Sequence, residues 1–183
     1  LSTPNETKRN ETKRNETMAL RHITKISDLS RPEAAGILSL AREMKKSPSD
    51  YWDALKRKTL LMLFEKPSLR TRVSLEAGMT QLGGHGIAYM TGDSPIGKKE
   101  SYEDTGAVLS RMSDAVTARV NSREQIAGLA ANSTIPIVNA LDDYAHPMQM
   151  LADLQVMSEH LHAERVTVSG RAKGWAGCAV RAP

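Results

Sequence analysis

Four short apolar runs, each followed by a segment of helical spacing, set the strongest limit on what this chain can fold into. The runs are Thr59–Phe64, Gly86–Thr91, Asp114–Val120 and Ile135–Ala140. Thr59-Leu-Leu-Met-Leu-Phe64 shows no polar alternation, so as a strand it must be buried on both faces. That is the habit of parallel sheets covered by crossover helices. The intervening segments supply such helices. Ser68 to Leu82 is closed by Gly83-Gly84, Ser101 with Asp104 three residues on opens a helix through Met112, and Ser122 caps another through Ala131. His146-Pro147 leads into a helix with Met150, Leu151, Leu154, Met157 and Leu161 spaced for one face. An earlier helix, Arg31 to Met44, has Ser30 as its N-cap, Ala34, Ile37, Leu38 and Ala41 on one face, and a polar loop from Lys45 to Asp50 behind it. The expected fold class is α/β: a four-stranded parallel sheet flanked by helices in three αβα layers, with a disordered N-terminal repeat and an irregular C-terminal tail.

Both ends break the pattern. Asn5-Glu-Thr-Lys-Arg restarts at Asn10 and again at Asn15, a polar repeat with no apolar face to bury, so residues 1–17 are expected to be disordered. The codons AAC-GAA-ACG-AAA-CGA spell this unit and are themselves a repeat of AACGA. The segment therefore reads as translated microsatellite upstream of a natural start at Met18. Its Asn-Glu-Thr sequons lack a signal peptide, and its Glu residues do not suit a mitochondrial transit peptide. Residues 161–183 form the atypical tail, in which Val166 to Val168 is the strand-like piece. The domain that carries any chemistry is expected over residues 18–160.

Charge follows the same division. The chain holds 25 Lys and Arg against 21 Asp and Glu, for +4. The repeat contributes +1, the tail +3, and the domain between them nothing. With one Phe, four Tyr and two Trp scattered along the sequence, no basic and aromatic face for nucleic acid is expected. Hydrophobic residues at 40% suffice for a core, but no apolar stretch reaches the roughly 18 residues of a membrane span. Cys178 is the only cysteine, so neither an intrachain disulfide nor a cysteine zinc site is expected, which suits a reducing compartment.

In a parallel α/β sheet, ligands bind beyond the carboxyl ends of the strands. There the sequence places Ser68-Leu-Arg-Thr-Arg72, the Gly97-Lys-Lys-Glu100 loop, Arg119 and His146-Pro-Met-Gln149. A helix start with Ser68, Thr71 and Arg70 suits an anion, because free backbone N–H groups and the helix dipole favour negative charge. The plainer reading is that Ser68 only caps the helix and the arginines are solvated. His146 likewise has a plain reading, as a helix-start residue facing water. Gln149, three residues on, gives the pair a donor and an acceptor for an amide-like group.

In order and spacing these residues resemble the carbamoyl phosphate domain of the transcarbamylases. Phe64-Glu-Lys-Pro-Ser-Leu-Arg-Thr-Arg-Val-Ser74, Lys99-Glu-Ser101, Asp104-Thr105, Asp114-Ala-Val116 with Arg119, and His146-Pro-Met-Gln-Met-Leu-Ala-Asp153 are similar to the ornithine branch, over residues 20–160. The resemblance implies that Ser68, Leu69, Arg70, Thr71, Arg72 and Lys99 bind the phosphate of carbamoyl phosphate. It implies that Arg119, His146 and Gln149 hold the carbamoyl group, with Arg70, Arg119, His146 and Gln149 as the catalytic set. The implied reaction transfers a carbamoyl group to ornithine, giving citrulline and phosphate in arginine biosynthesis, with no metal or other cofactor. It also implies a homotrimer in the full-length form, in the cytoplasm or alternatively the mitochondrial matrix.

Three departures bear on this. Leu69 replaces the threonine of Ser-Thr-Arg-Thr-Arg and is expected to turn into the core. Pro95 stands where ornithine enzymes commonly carry a Gln or His that reaches a neighbouring subunit, and Lys98 and Lys99 are similar to the basic loop of the aspartate enzymes. The amino-acid-binding motifs of the family, Ser-Met-Gly and His-Cys-Leu-Pro, do not occur in these 183 residues. The chain by itself is therefore expected to bind carbamoyl phosphate weakly and to turn over no ornithine. An aspartate-type fragment and a non-catalytic subunit-interaction module are the alternatives.

Overall fold

The computed structural model describes residues 20–92, 94–160, 165–167 and 179–181. The repeat over residues 1–17, Met18 and Cys178 lie outside the described residues. Four strands form one parallel sheet: β1 (Thr59–Phe64), β2 (His85–Met90), β3 (Ala115–Arg119) and β4 (Ile137–Leu141), in the order β2-β1-β3-β4. Five helices accompany them: α1 (Arg31–Lys46), α2 (Leu69–Gln81), α3 (Tyr102–Leu109), α4 (Arg123–Ala131) and α5 (Pro147–His160). This is the α/β layering expected from the alternation of runs. Strand and helix boundaries fall within a few residues of those read from the sequence, the largest shift being the helix after Ser101, which ends at Leu109.

The two faces of β1 explain its uninterrupted apolar sequence. Leu60, Met62 and Phe64 pack with Met79 of α2, while Leu63 joins Val116, Ala118, Val120, Ile137 and, from α4, Ile126 and Leu129. Tyr102 and Leu109 of α3 close this second cluster. Met62, Leu63 and Phe64 are at most 2% exposed, and burying each such side chain stabilises the fold by roughly 1.5–3 kcal/mol. Ala115 packs in the α2 cluster, so the two-residue period of β3 sends Arg119 toward the same side.

Three local devices position the loops. Gly83, at φ 78°, ends α2: its N–H donates to Thr80 and the Gly84 N–H to Met79, at 3.1 and 2.8 Å, the paired bonds of a Schellman motif. An extra residue in β4 shifts its register against β3, so Arg119 pairs with Leu141, whose φ of 140° is strained for a side-chain-bearing residue. Ile23 forms a parallel bridge to Val138, adding a short edge beyond β4.

Helix α1 differs from its sequence reading. No residue in it is buried, and Ile37 is 38% exposed, outside the half-buried stripe of Ala34, Leu38, Ala41 and Met44. The helix is tied to α5 by Arg42 donating to Ser158 at 2.8 Å and by the Lys45–Glu159 pair at 2.7 Å. Of the tail, the described backbone is an antiparallel pair of β5 (Arg165–Thr167) and β6 (Ala179–Arg181).

Candidate anion-binding site

The sheet order fixes where a ligand goes. From β1 the chain moves outward to β2 and then returns past β1 to β3, so the winding direction reverses between β1 and β3. Beyond the carboxyl ends of these two strands lies the crevice in which sheets of this kind bind ligands. The segment after β1 carries Ser68 to Arg72, and the end of β3 carries Arg119.

Ser68 occupies the N-cap position of α2 in extended backbone, but its hydroxyl makes no cap bond. The plain capping role is thus not the one it plays, whereas the hydroxyls of Ser30 and Ser101 do accept cap bonds in their helices. Among the described residues, Arg70 and Arg119 have no carboxylate partner. The Nε of Arg119 is buried and makes no hydrogen bond. Burial first, and the charge of Arg70 second, hold the Arg119 guanidinium below its ordinary ionisation range. Two guanidiniums that feel each other without an acid between them constitute a concentrated positive field. A dianionic phosphate between them would offset both the repulsion and the unmade hydrogen bond.

His146 completes the group from the other side. It precedes Pro147, the first residue of α5, and its Nδ1 accepts the Gln149 backbone N–H at 3.4 Å, so the ring caps the helix rather than facing water. The proton of the neutral ring then sits on Nε2. Burial and the nearby Arg119 lower the His146 ionisation, outweighing the opposing pull of Asp153 and Asp142, so the ring is a neutral donor at pH 7. The Gln149 amide donates to Asp153 at 2.9 Å, which leaves its carbonyl oxygen available as an acceptor.

A buried turn sets the position of His146. Asn139 is fully buried in β4 and donates to Asp142 and to the Thr24 carbonyl, each at 2.9 Å, while Asp142 accepts the Tyr144 and Ala145 N–H groups at 2.6 and 2.5 Å. Sequence reasoning assigned no role to Asn139 or Asp142. A polar residue inside an otherwise apolar strand was the available signal.

The other expected residues are placed differently. Leu69 does not enter the core: it is 79% exposed, one residue into α2. Its backbone N–H remains at the helix start. Arg72 turns along α2 to pair with Glu76 at 3.0 Å. Lys99 is exposed in the loop after β2. Pro95 starts the tight turn of that loop, its carbonyl accepting the N–H groups of Lys98, Lys99 and Glu100.

The fold and this site together define a parallel α/β domain with a cationic crevice at its topological switch point. Residues 21–159 match the family described as "Aspartate/ornithine carbamoyltransferase, carbamoyl-P binding domain". The chain belongs to the aspartate/ornithine carbamoyltransferase family and comprises its carbamoyl phosphate-binding domain. A catabolic ornithine carbamoyltransferase of Halobacterium salinarum is 42% identical over 140 residues, covering 76% of this chain and 48% of that protein. Among solved structures, the ornithine carbamoyltransferase of Pyrococcus furiosus superposes with a TM-score of 0.76 at 37% identity, over 81% of this chain and 48% of that one. The catalytic subunit of M. jannaschii aspartate transcarbamoylase superposes with a TM-score of 0.70 at 32% identity, over 78% and 48%. The chain spans about half the length of the curated relatives it matches. Among the described residues no helix is long and apolar enough to cross a membrane.

Proposed function

We propose that this chain is the carbamoyl phosphate-binding half of an ornithine-type carbamoyltransferase. The observation that carries the reading is the gathering of Arg70, Arg119 and a neutral His146 at the switch point, with the buried Arg119 Nε unbonded. In this reading Ser68, Thr71, Arg70 and the N–H groups at the start of α2, including that of Leu69, hold the phosphate, with Arg72 and Lys99 as further cations. Arg119 and the Nε2–H of His146 donate to the carbamoyl oxygen, and the Gln149 carbonyl accepts from the carbamoyl amide.

The chemistry follows from that arrangement. The amine nitrogen of the acceptor forms a bond to the carbamoyl carbon, giving a tetrahedral oxyanion. The carbon–oxygen bond to phosphate then breaks, the electron pair leaves with phosphate, and the nitrogen sheds a proton. Fixed donors aimed at the oxyanion and at the departing phosphate stabilise charge that is greater in the transition state than in the ground state. A neutral histidine serves here as donor and adds no third positive charge to the Arg70–Arg119 pair.

Ornithine as acceptor, with citrulline as product and arginine biosynthesis as setting, rests on the Phe64-Glu-Lys-Pro-Ser and Leu151-Ala-Asp153 segments. The aspartate branch is the second reading, favoured by Lys98 and Lys99 in the loop after β2. A homotrimeric full-length form located in the cytoplasm belongs to the same proposal. The acceptor is tested by assaying ornithine, aspartate and putrescine on the chain joined to a second domain of the family. The phosphate site is tested on the chain itself. Arg70→Ala should reduce carbamoyl phosphate affinity by about 100-fold, the worth of roughly two charge-assisted hydrogen bonds. Calorimetry showing equal affinity in Arg70→Ala and the parent chain would overturn the site assignment.

A further inference from the structure

One carboxylate links the turn after β1 to the end of β3, and through a tyrosine to the loop after β2. Glu65 follows the last residue of β1 and precedes the Ser68–Arg72 turn by three residues. Its Oε2 accepts the Asn121 backbone N–H at 2.9 Å and the Asn121 amide at 2.7 Å. Its Oε1 accepts the Gln125 amide at 3.0 Å and the Tyr102 hydroxyl. Gln125 also donates to the Tyr102 oxygen at 2.6 Å, and its own carbonyl accepts the N–H groups of Asn121 and Ser122, each at 2.8 Å. Burial first, and the facing Glu65 carboxylate second, hold the Tyr102 phenol above the ordinary tyrosine range, so it stays a neutral donor.

This network is more than a loop brace, because of what each member is attached to. Glu65 is on the same short segment as Ser68 and Arg70, and its backbone N–H donates to the Arg119 carbonyl at 2.9 Å. Its side chain grips Asn121, two residues past Arg119. The Tyr102 ring meets the third segment: a Cβ placed on Gly97 would lie 2.8 Å from the phenolic oxygen and 3.1 Å from the ring edge. Gly97, at φ 71°, is thus seated directly on Tyr102, two residues before Lys99. The turn after β1, the end of β3 and the loop after β2 have separate positions in sequence, but all three converge on Glu65 and Tyr102.

We propose that Glu65 and Tyr102 are positioning residues that hold the three cation-bearing segments of the anion site in register. Neither touches the substrate; they act through Arg70, Arg119 and the Lys99 loop. The inference rests on the carbamoyl phosphate reading of the site for its functional meaning, but the mechanical coupling is independent of it. Four donors on one half-buried carboxylate also explain how an acid can sit behind a cationic site: its charge is spent on protein donors.

The test uses the intact 183-residue chain and its Tyr102→Phe and Arg70→Ala variants, with amide hydrogen exchange read residue by residue. Tyr102→Phe should accelerate exchange at the hydrogen-bonded amides of all three segments, Glu65, residues 97–100 and residues 119–122, while amides of β4 and α5 stay at their parent rates. It should also weaken carbamoyl phosphate binding by about tenfold, because the segments of Arg70 and Arg119 must then be ordered on binding. Acceleration confined to α3, no acceleration, or an equal acceleration of every amide would each overturn the coupling, the last by showing only general loss of stability. Arg70→Ala should weaken binding by about 100-fold yet leave residues 97–100 and 119–122 unchanged in exchange. If Arg70→Ala binds as the parent does, the carbamoyl phosphate reading fails while the exchange data still decide the coupling.

Discussion

At the scale of single residues, the site depends on a histidine kept neutral by its surroundings. His146 has two carboxylates pulling its ionisation up, Asp153 and Asp142, and burial with Arg119 pushing it down, and the downward causes prevail. Removing one downward cause must therefore move the ring back up. Arg119→Met should raise the titration midpoint of the His146 imidazole toward the ordinary 6.5, read from its proton shifts by NMR. A midpoint unchanged by that substitution would show that Arg119 does not face the ring, and the catalytic grouping would come apart. The positions of Arg70, Arg119, His146 and Gln149 were legible in the sequence because each stands at a strand end or helix start. Side-chain directions were not. Leu69 illustrates why: the buried stripe of α2 runs through Leu75 and Met79, and Leu69, six residues before Leu75, lies about 240° round the helix from it. An apolar identity alone does not bring a residue onto that stripe. Arg72 likewise pairs with Glu76 one turn later, a direction that the motif alone does not announce.

At the scale of elements, the joints between helices and strands decide how firmly the site is held. The strand–helix alternation was legible because buried parallel strands and half-buried helices have different periods. What the sequence did not carry was the cross-chain connection: Glu65 meets Tyr102 and Gln125, 37 and 60 residues away, and no local pattern announces such partners. Asn139 and Asp142 form a similar brace under His146, and only the fold brings Thr24 to them. The joint from α2 to β2 was visible as Gly83-Gly84, and its geometry explains the first glycine twice over. Gly83 has a φ of 78°, and a Cβ there would lie 2.5 Å from the Trp52 carbonyl oxygen, a backbone atom that cannot swing aside. Gly83→Ala should accordingly cost about 2–4 kcal/mol, the left-handed penalty plus a steric one, measured as a lowered urea midpoint at constant slope. A loss below 0.5 kcal/mol, the range of ordinary surface changes, would mean the α2–β2 joint adapts freely.

At the scale of the whole molecule, the neutral domain conceals an uneven response to acid. Among the described residues two histidines are depressed in ionisation, His22 by burial and His146 by burial and Arg119. His22 accepts the Ile137 N–H at 3.2 Å through Nδ1, which its protonation would break, freeing the edge that Ile23 adds to β4. Near pH 6.5 the unfolded chain takes up protons at these positions while the folded chain does not, so stability falls as pH drops through that value. The carboxylates act in the same direction at lower pH. The Ser30 hydroxyl and N–H, with Arg21, hold Glu33 down at about 2, and Lys58 with the Thr59 N–H lowers Asp114. Their contribution is complete above the unfolded values of 4.5 and 3.8 and is lost as pH falls below them. No resolved shift among the described acids and histidines opposes this, so urea midpoints should decline in two stages, the first below pH 6.5 and the second below pH 4.5. The first stage belongs to the histidines, and it should flatten in a His22→Gln, His146→Gln double variant while the second persists. Stability that rises between pH 7 and pH 5 would contradict the sign of both histidine shifts. That outcome would also remove the neutral His146 on which the proposed carbamoyl contact depends.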